Sequence, residues 1–274
     1  MTEQGNDAPT IGELPSALER RQEIADRLAG REAVVFIDYD GTLTPIVENP
    51  EDATLPEKTR DLLERLREPC RVVIISGRDL EDVRQMVGID GLAYAGSHGF
   101  DILASDGSRH AYGEEYLPAL DEAEEQLGPR LADIPGARLE RKRFAIACHF
   151  RQCDDDDVVD VEEAVEDVAA EQTRLRMTGG KRIIELRPDL DWDKGRALMW
   201  FLETLGLDRD DVVPLYVGDD VTDEDAFEAI RERGIAVVVQ GEDDERATSA
   251  HYSLAHTDEV RRFLEQLLAI TGPS

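Results

Sequence analysis

The sequence predicts an α/β fold, a doubly wound parallel sheet with an α+β domain inserted into it. Three observations carry that expectation. Near both ends of the chain, short segments rich in valine and isoleucine alternate with amphipathic helical patterns, as strands covered on two faces require. Several of these helical patterns stop on a glycine. Between about 108 and 186 the rhythm changes to helix, two strands, helix, two strands.

In chain order, residues 15–30 read as a helix packed on the core. "AVVFI" (33–37) is the first strand, followed by the helix "PEKTRDLLERLRE" (56–68). "RVVIIS" (71–76), the helix "DLEDVRQMVG" (79–88) and "LAYAG" (92–96) continue the alternation. The insert reads as a helix at 114–134, strands "ARLERK" (137–142) and "FAIACHFR" (144–151), a helix at 155–172, then strands "RLRMT" (174–178) and "RIIELR" (182–187). "MTGGKR" between the last two is a hairpin signal. The four aspartates at 154–157 read as a solvated helix start. The alternation then resumes with the helix "DKGRALMWFLETLG" (193–206), "VPLYVG" (213–218), the helix "TDEDAFEAIRERG" (222–234) and "IAVVVQ" (235–240). Gly88, Gly206 and Gly234 are expected to end their helices in the left-handed conformation. The expected organisation is a discontinuous Rossmann-like core, 1–107 with 187–274, and an insert over 108–186. In such a sheet, functional groups gather at the carboxyl ends of the strands.

Composition narrows the function. Hydrophobic residues make up 41% of 274, enough for a sizeable core. A net charge of −31 repels polyanions, so neither nucleic acid nor an anionic membrane is an expected partner. There is no long apolar run and no apolar leader in "MTEQGNDAPTIGELPSALERR", so a cytoplasmic location is expected. Cys70, Cys148 and Cys153 form no CxxC pair, which reads as reduced thiols. "DDDD" (154–157) and "EDDER" (242–246) crowd like charges. The acidity suits either a salt-adapted protein or simple surface solubility, and the bias of 27 arginines to 4 lysines also suits a GC-rich genome.

The stretch "VVFIDYDGTLTPI" (34–46) ends a core strand on two aspartates, although aspartate is a poor strand residue. Residues i and i+2 of an extended chain point the same way, so Asp38 and Asp40 are expected to converge above the sheet edge. An EF-hand loop needs its glycine at the sixth position, whereas Gly41 is the fourth. A structural turn remains open, as does chemistry in which one carboxylate attacks, its neighbour handles protons and a divalent cation damps their repulsion. Other strand ends supply matching parts. "YVGDDVTDEDAF" offers Asp219, Asp220 and Asp223; "IISGR" offers the Ser76 hydroxyl, helix-start amides and Arg78; "DKG" offers Lys194. Carboxylates suit a hard cation, and a hydroxyl, amides and a lysine suit a phosphoryl group.

In this order, "DYDGT", "SGR", the lysine of "DKG" and "GDDVTDED" resemble the haloacid dehalogenase superfamily of phosphatases. The resemblance implies Asp38 as the nucleophile that forms an aspartyl-phosphate and Asp40 as the acid/base. It implies Ser76 and Lys194 as ligands of the phosphoryl oxygens. Mg²⁺ is the implied cofactor, bound by Asp38, the Asp40 carbonyl and Asp219, with Asp220 or Asp223 behind them. The insert resembles that superfamily's type-two cap.

Over roughly 32–265 the chain resembles the trehalose-6-phosphate phosphatase family. The matching stretches are "DYDGTLTPI", "SGR", "AGSHGFDI", E-x-K…H-x-R at Glu140, Lys142, His149 and Arg151, "ELRP…DKG" and "YVGDDVTDEDAF". That resemblance implies a small sugar phosphate as the partner, and a monomer is expected. It implies Gly41, Thr42, Gly77, Arg78 and His98 around the substrate, His98 shaping the site, and Glu140, Lys142, His149, Arg151 and Glu185 as cap positions for the sugar. From pattern alone, those cap strands also fit an ordinary half-solvated sheet. Ala145, where the family often has serine, and Phe150, where it has tyrosine, are departures. Sucrose 6-phosphate and mannosyl-3-phosphoglycerate phosphatases, and a non-catalytic sugar-phosphate sensor, are the competing readings.

Overall fold

Val34 to Ile37 are wholly buried because strand β1 (Glu32–Ile37) lies inside an eight-stranded sheet with neighbours on both sides. The computed structural model describes residues 8–47, 49–180, 182–241 and 245–272. It divides into two compact units, Met1–Arg109 with Trp192–Ser274, and His110–Asp191.

In the first unit the remaining strands are β2 (Arg71–Ile75), β3 (Ala93–Gly96), β4 (Asp101–Leu103), β10 (Val212–Gly218), β11 (Ile235–Val239) and β12 (Tyr252–Leu254), and β5 (Arg109–Ala111) starts at its Arg109 and runs on past the division. Their order across the sheet is β12-β11-β10-β1-β2-β3-β4-β5. The pairs from β12 to β3 are parallel, and β4 returns antiparallel to β3. Alternate residues face opposite layers. Val35, Ile37, Leu215 and Val217 pack with apolar residues of α1 (Arg21–Leu28), α2 (Glu57–Leu66), α3 (Leu80–Val87) and α8 (Thr257–Thr271). On the other face Phe36 meets Phe201 of α6 (Lys194–Thr204), ring centres 6.2 Å apart, and Tyr216 meets Phe227 of α7 (Glu224–Ile230) at 5.6 Å. The sheet is thus doubly wound.

Gly88 and Gly206 adopt the left-handed conformation after α3 and near the end of α6, with φ of +65° each. Gly234 does not; a Cβ there would lie 2.6 Å from the Pro214 carbonyl oxygen, so close backbone approach is what requires glycine. The helix expected over 15–30 is shorter, α1 covering Arg21–Leu28, because the chain before it is bridged to other segments, Thr10 to Ala247 and Ser16 to Ser253.

The second unit has its own antiparallel sheet, in the order β6-β7-β9-β8. Its strands are β6 (Arg138–Lys142), β7 (Ala145–His149), β8 (Leu175–Gly180) and β9 (Ile183–Pro188). Ile146, Cys148, Ile184 and Leu186 form a core with α4 (Leu117–Ala132) and α5 (Asp155–Glu171), so the alternate residues of these strands lie on the face without helices. Asp154 is the N-cap position of α5 and Asp155, Asp156 and Asp157 form its first turn, where negative charge meets the positive end of the helix dipole. Lys181 of the "MTGGKR" hairpin and residues 242–244 of "EDDER" lie outside the described residues. All three cysteines are free thiols. No helix among the described residues is long and apolar enough to cross a membrane.

Candidate active site

β1 and β10 are adjacent and parallel, with Ile37 opposite Val217. Successive strands run outward from this pair in both directions, which opens a crevice at its carboxyl end. Asp38 follows β1 directly and its amide still donates to the Val217 carbonyl at 2.9 Å. Asp219 follows Gly218 at the end of β10. Lys194 opens α6, where the Asp193 carboxylate caps the helix by accepting the Arg196 amide at 2.8 Å. The three converge. Lys194 Nζ is 2.9 Å from Asp38 Oδ1 and 2.6 Å from Asp223 Oδ1, and carboxylate oxygens of Asp38, Asp219 and Asp223 lie within 4.8 Å of one another.

Asp223 is the anchor of this group. Its Oδ1 accepts Lys194 and the Tyr216 hydroxyl at 2.7 Å, and its Oδ2 accepts the amides of Asp219 at 3.0 Å and Asp220 at 2.9 Å. Four donors occupy it. Asp38 and Asp219 are differently situated, since Asp38 Oδ2 and Asp219 Oδ2 accept no hydrogen bond among the described residues. Burial pushes Asp38 well above the usual carboxylate range, against the opposing pull of Lys194. Burial, then the Asp223 charge, pushes Asp219 up to about 8. Burial works against the Lys194 charge, but Asp223 and Asp38 outweigh it and raise its pKa. A buried and a half-buried carboxylate, crowded together with open lone pairs, are a donor set that fits a hard divalent cation.

Asp40 does not join them. Arg78 grips both of its oxygens, Nε to Oδ2 and Nη2 to Oδ1 at 2.7 Å each, and also reaches Asp82 at 3.2 Å and the Pro50 carbonyl at 2.8 Å. The expected convergence of Asp38 and Asp40 fails because β1 ends at Ile37, before the pair, and a bidentate ion pair draws Asp40 aside. Arg78 correspondingly serves Asp40 and is no open anion binder. Asp220 is exposed and contributes no oxygen to the carboxylate cluster; its side chain caps the turn Val221–Asp223.

The other expected residues of this unit line the same edge. Ser76, at the end of β2, is 1% exposed and its Oγ accepts the Arg78 amide at 3.2 Å. The loop Ser97–Gly99 is bound to this turn, Ser97 N–H donating to the Arg78 carbonyl and His98 N–H to that of Ser76. Ser97 and His98 hold left-handed φ angles of 49° and 57°, strain that the paired backbones sustain. The His98 ring lies against Gly77, where a Cβ would come within 2.7 Å of it. Gly41 lies against Asp219, for a Cβ there would fall 2.0 Å from that carboxylate, and Thr42 Oγ1 donates to Asp219 Oδ1 at 3.2 Å. Gly41 and Thr42 therefore shape the position of Asp219.

In the second unit, Glu140, Ala147, Glu185 and Thr178 form one row across the helix-free face. Glu140 pairs with His149 Nε2 at 2.7 Å, a bond that lowers its pKa. Lys142 Nζ pairs with Glu185 Oε1 at 2.7 Å. Arg151 stands apart: β7 stops at His149, so the alternation that was to align the two ends there, leaving Arg151 exposed in the following turn. Ala145 and Phe150 are buried and offer no hydroxyl.

Three contributors escaped the sequence reading. Arg187 holds Glu185 Oε2 through Nε at 2.9 Å and Nη2 at 2.6 Å, and its place two residues on in the same strand was the available signal. Tyr216 looked like one more apolar strand residue. Arg246 reaches the Asp219 carbonyl from an acidic loop with no pattern to mark it.

A sequence profile described as trehalose-phosphatase matches residues 36–258. The chain belongs to the trehalose-phosphatase family. It is 42% identical over 261 residues to a trehalose-phosphate phosphatase of Mycobacterium tuberculosis, covering 94% of this chain and 66% of that one. It is 44% identical over 269 residues to a protein of the same species named as an uncharacterized glycosyl hydrolase, covering 96% of this chain and 20% of that one. The chain thus spans a fifth to about two thirds of the length of these relatives. Among solved structures, a trehalose-6-phosphate phosphatase related protein superposes with a TM-score of 0.74 at 28% identity, covering 88% of this chain and all of that one.

Proposed function

We propose that the chain hydrolyses trehalose 6-phosphate to trehalose and phosphate, with Mg²⁺ as cofactor. The observation that carries this reading is the buried Lys194 held between Asp38 and Asp223 beside Asp219, in a chain of the trehalose-phosphatase family. Asp38 attacks phosphorus as the bond to the sugar oxygen breaks, and Asp40 as a carboxylic acid gives that oxygen its proton. Water then attacks the aspartyl-phosphate, Asp40 accepts its proton, and the bond from phosphorus to Asp38 breaks. Lys194 and Ser76 hold the phosphoryl oxygens. Asp38, Asp219 and the Asp40 carbonyl would hold Mg²⁺, which would supply neutralisation of charge between nucleophile and phosphate. Asp40 acts once its carboxylate is released from Arg78.

The test is a panel of trehalose 6-phosphate, sucrose 6-phosphate, mannosyl-3-phosphoglycerate and an aryl phosphate. The highest kcat/KM is expected for trehalose 6-phosphate, with loss of turnover in EDTA and recovery on adding Mg²⁺. A better substrate elsewhere in the panel, or full activity in excess EDTA, contradicts the reading. Binding of trehalose 6-phosphate without turnover means a sensor.

Glu140, Lys142 and Glu185 are proposed to hold the sugar hydroxyls, which gives a separate expectation. Alanine at any of them should cost about ten- to a hundredfold in kcat/KM for the sugar ester, the loss of one hydrogen bond to a charged group. The aryl ester, with no hydroxyls to hold, should lose much less. Equal losses on both substrates assign these residues to the fold, and melting curves check Glu185→Ala, which removes an ion-pair partner of both Lys142 and Arg187.

A further inference from the structure

Residues 9–17, which the sequence reading leaves without a role beyond packing, are bonded along the segment 246–253. Ile11 N–H donates to the Arg246 carbonyl, Thr248 N–H to the Pro9 carbonyl and Ser253 N–H to the Pro15 carbonyl, each at 3.0 Å. The Ile11 side chain is buried, which fastens the strap. Arg246, so fixed at its backbone, turns its side chain onto the loop that follows β10. Its Nη2 donates to the Asp219 carbonyl at 3.0 Å, and its Nη1 lies 3.3 Å from Glu224 Oε1. Glu224 is itself fixed, since its Oε2 accepts the Ser249 amide at 2.8 Å.

Asp219 is therefore held at both sides of its own backbone, the N–H by Asp223 Oδ2 and the carbonyl by Arg246. Its carboxylate faces those of Asp38 and Asp223, with oxygens within 4.8 Å of one another, and accepts the Thr42 hydroxyl at 3.2 Å. We propose that Arg246 is a positioning residue for divalent-cation binding: it pins the Asp219 peptide so that the carboxylate stays aimed at the cation. The inference rests on the proposed reading of Asp38 and Asp219 as cation ligands. At 17% side-chain exposure, the guanidinium bond to the carbonyl is charge-assisted and shielded from much of the competition of water. Without it, the peptide keeps only its N–H anchor on Asp223, and the carboxylate is aimed less tightly in the metal-free state. A cation must then reassemble the pair, and its affinity falls by that cost.

The experiment titrates Mg²⁺ into the full chain by calorimetry, with melting in EDTA as the control on folding. Arg246→Met should bind Mg²⁺ about tenfold more weakly, the equivalent of about 1.4 kcal/mol for one charge-assisted bond. Its melting temperature in EDTA should stay within about 3 °C of wild type. Arg246→Lys, which keeps one charged donor, should recover part of the affinity. Unchanged Mg²⁺ affinity in Arg246→Met overturns the inference while leaving the cation site itself intact. A wild-type chain that binds no Mg²⁺ removes the cation reading and the inference together. Should Arg246→Met melt well below that range, Glu224→Gln decides, since it removes the charge that holds the second amino group. Weaker Mg²⁺ binding in Glu224→Gln supports the inference, and wild-type affinity overturns it.

Discussion

Asp38→Asn should lower phosphate release from trehalose 6-phosphate by about four to six orders of magnitude, the scale on which an enzyme loses its nucleophile. The amide keeps the shape of the side chain and can still accept a bond from Lys194, 2.9 Å from Oδ1. It carries no attacking charge. The fold is expected to survive, because Asp38 is buried and pushed above the usual carboxylate range, so removing its charge also removes a cost. Single-turnover assays with purified protein are the measurement, with phosphate trapped on Asp38 by acid quench in the wild type and no phosphorylated protein in the variant. Turnover within a hundredfold of wild type would sink the aspartyl-phosphate mechanism.

Lys194→Met should be the most destabilising single change in the site. Lys194 is 3% exposed and is the shared partner of Asp38 and Asp223, themselves 6% and 0% exposed at their side chains. Removing one member of a buried ion network leaves uncompensated charge, at about 3–5 kcal/mol. For a chain of this size that corresponds to a fall of roughly 10 °C in melting temperature, measured in EDTA. The pH dependence has a definite sign. Without Lys194 the buried carboxylates hold protons to higher pH when folded than when unfolded, so the folded state binds more protons and stability falls as pH rises. The gap from wild type should therefore be larger at pH 8 than at pH 5. A gap that does not change between these values would mean that methionine disturbs packing and not charge. Activity should fall with stability, since Lys194 is also proposed to hold the phosphoryl group.

The doubly wound core was legible because its signals are local. Val34 to Ile37 and Ile235 to Val239 are continuous apolar runs, and continuous apolar runs in alternation with helices mean strands buried on both faces. The short strand Tyr252–Leu254 was not legible, having no run long enough to mark it. Within the site, Asp38, Asp219, Asp223 and Lys194 stood out as charged residues at strand and helix ends. The row Glu140 to Glu185 was half legible: alternation identified the polar face, but the stop of β7 at His149 left Arg151 off it.

What the sequence determined by itself was the inventory and the order of the longer elements: which apolar runs are strands, which motif closes each, and that carboxylates, a hydroxyl and a lysine occur at those ends. Tertiary structure alone decided who partners whom. Lys194 meets Asp38 across 156 residues, Arg78 meets Asp40 across 38, and Arg246 meets the Asp219 carbonyl across 27. The physical reason is that propensity and periodicity act over one or two turns of chain, whereas ion pairing depends on distance and burial in space. An arginine next to "SG" reads as an anion binder until the fold brings an aspartate within reach of it. Asp223 reads as one more strand-end carboxylate until the fold sets Tyr216, Lys194 and two amides on its oxygens beside Asp38 and Asp219.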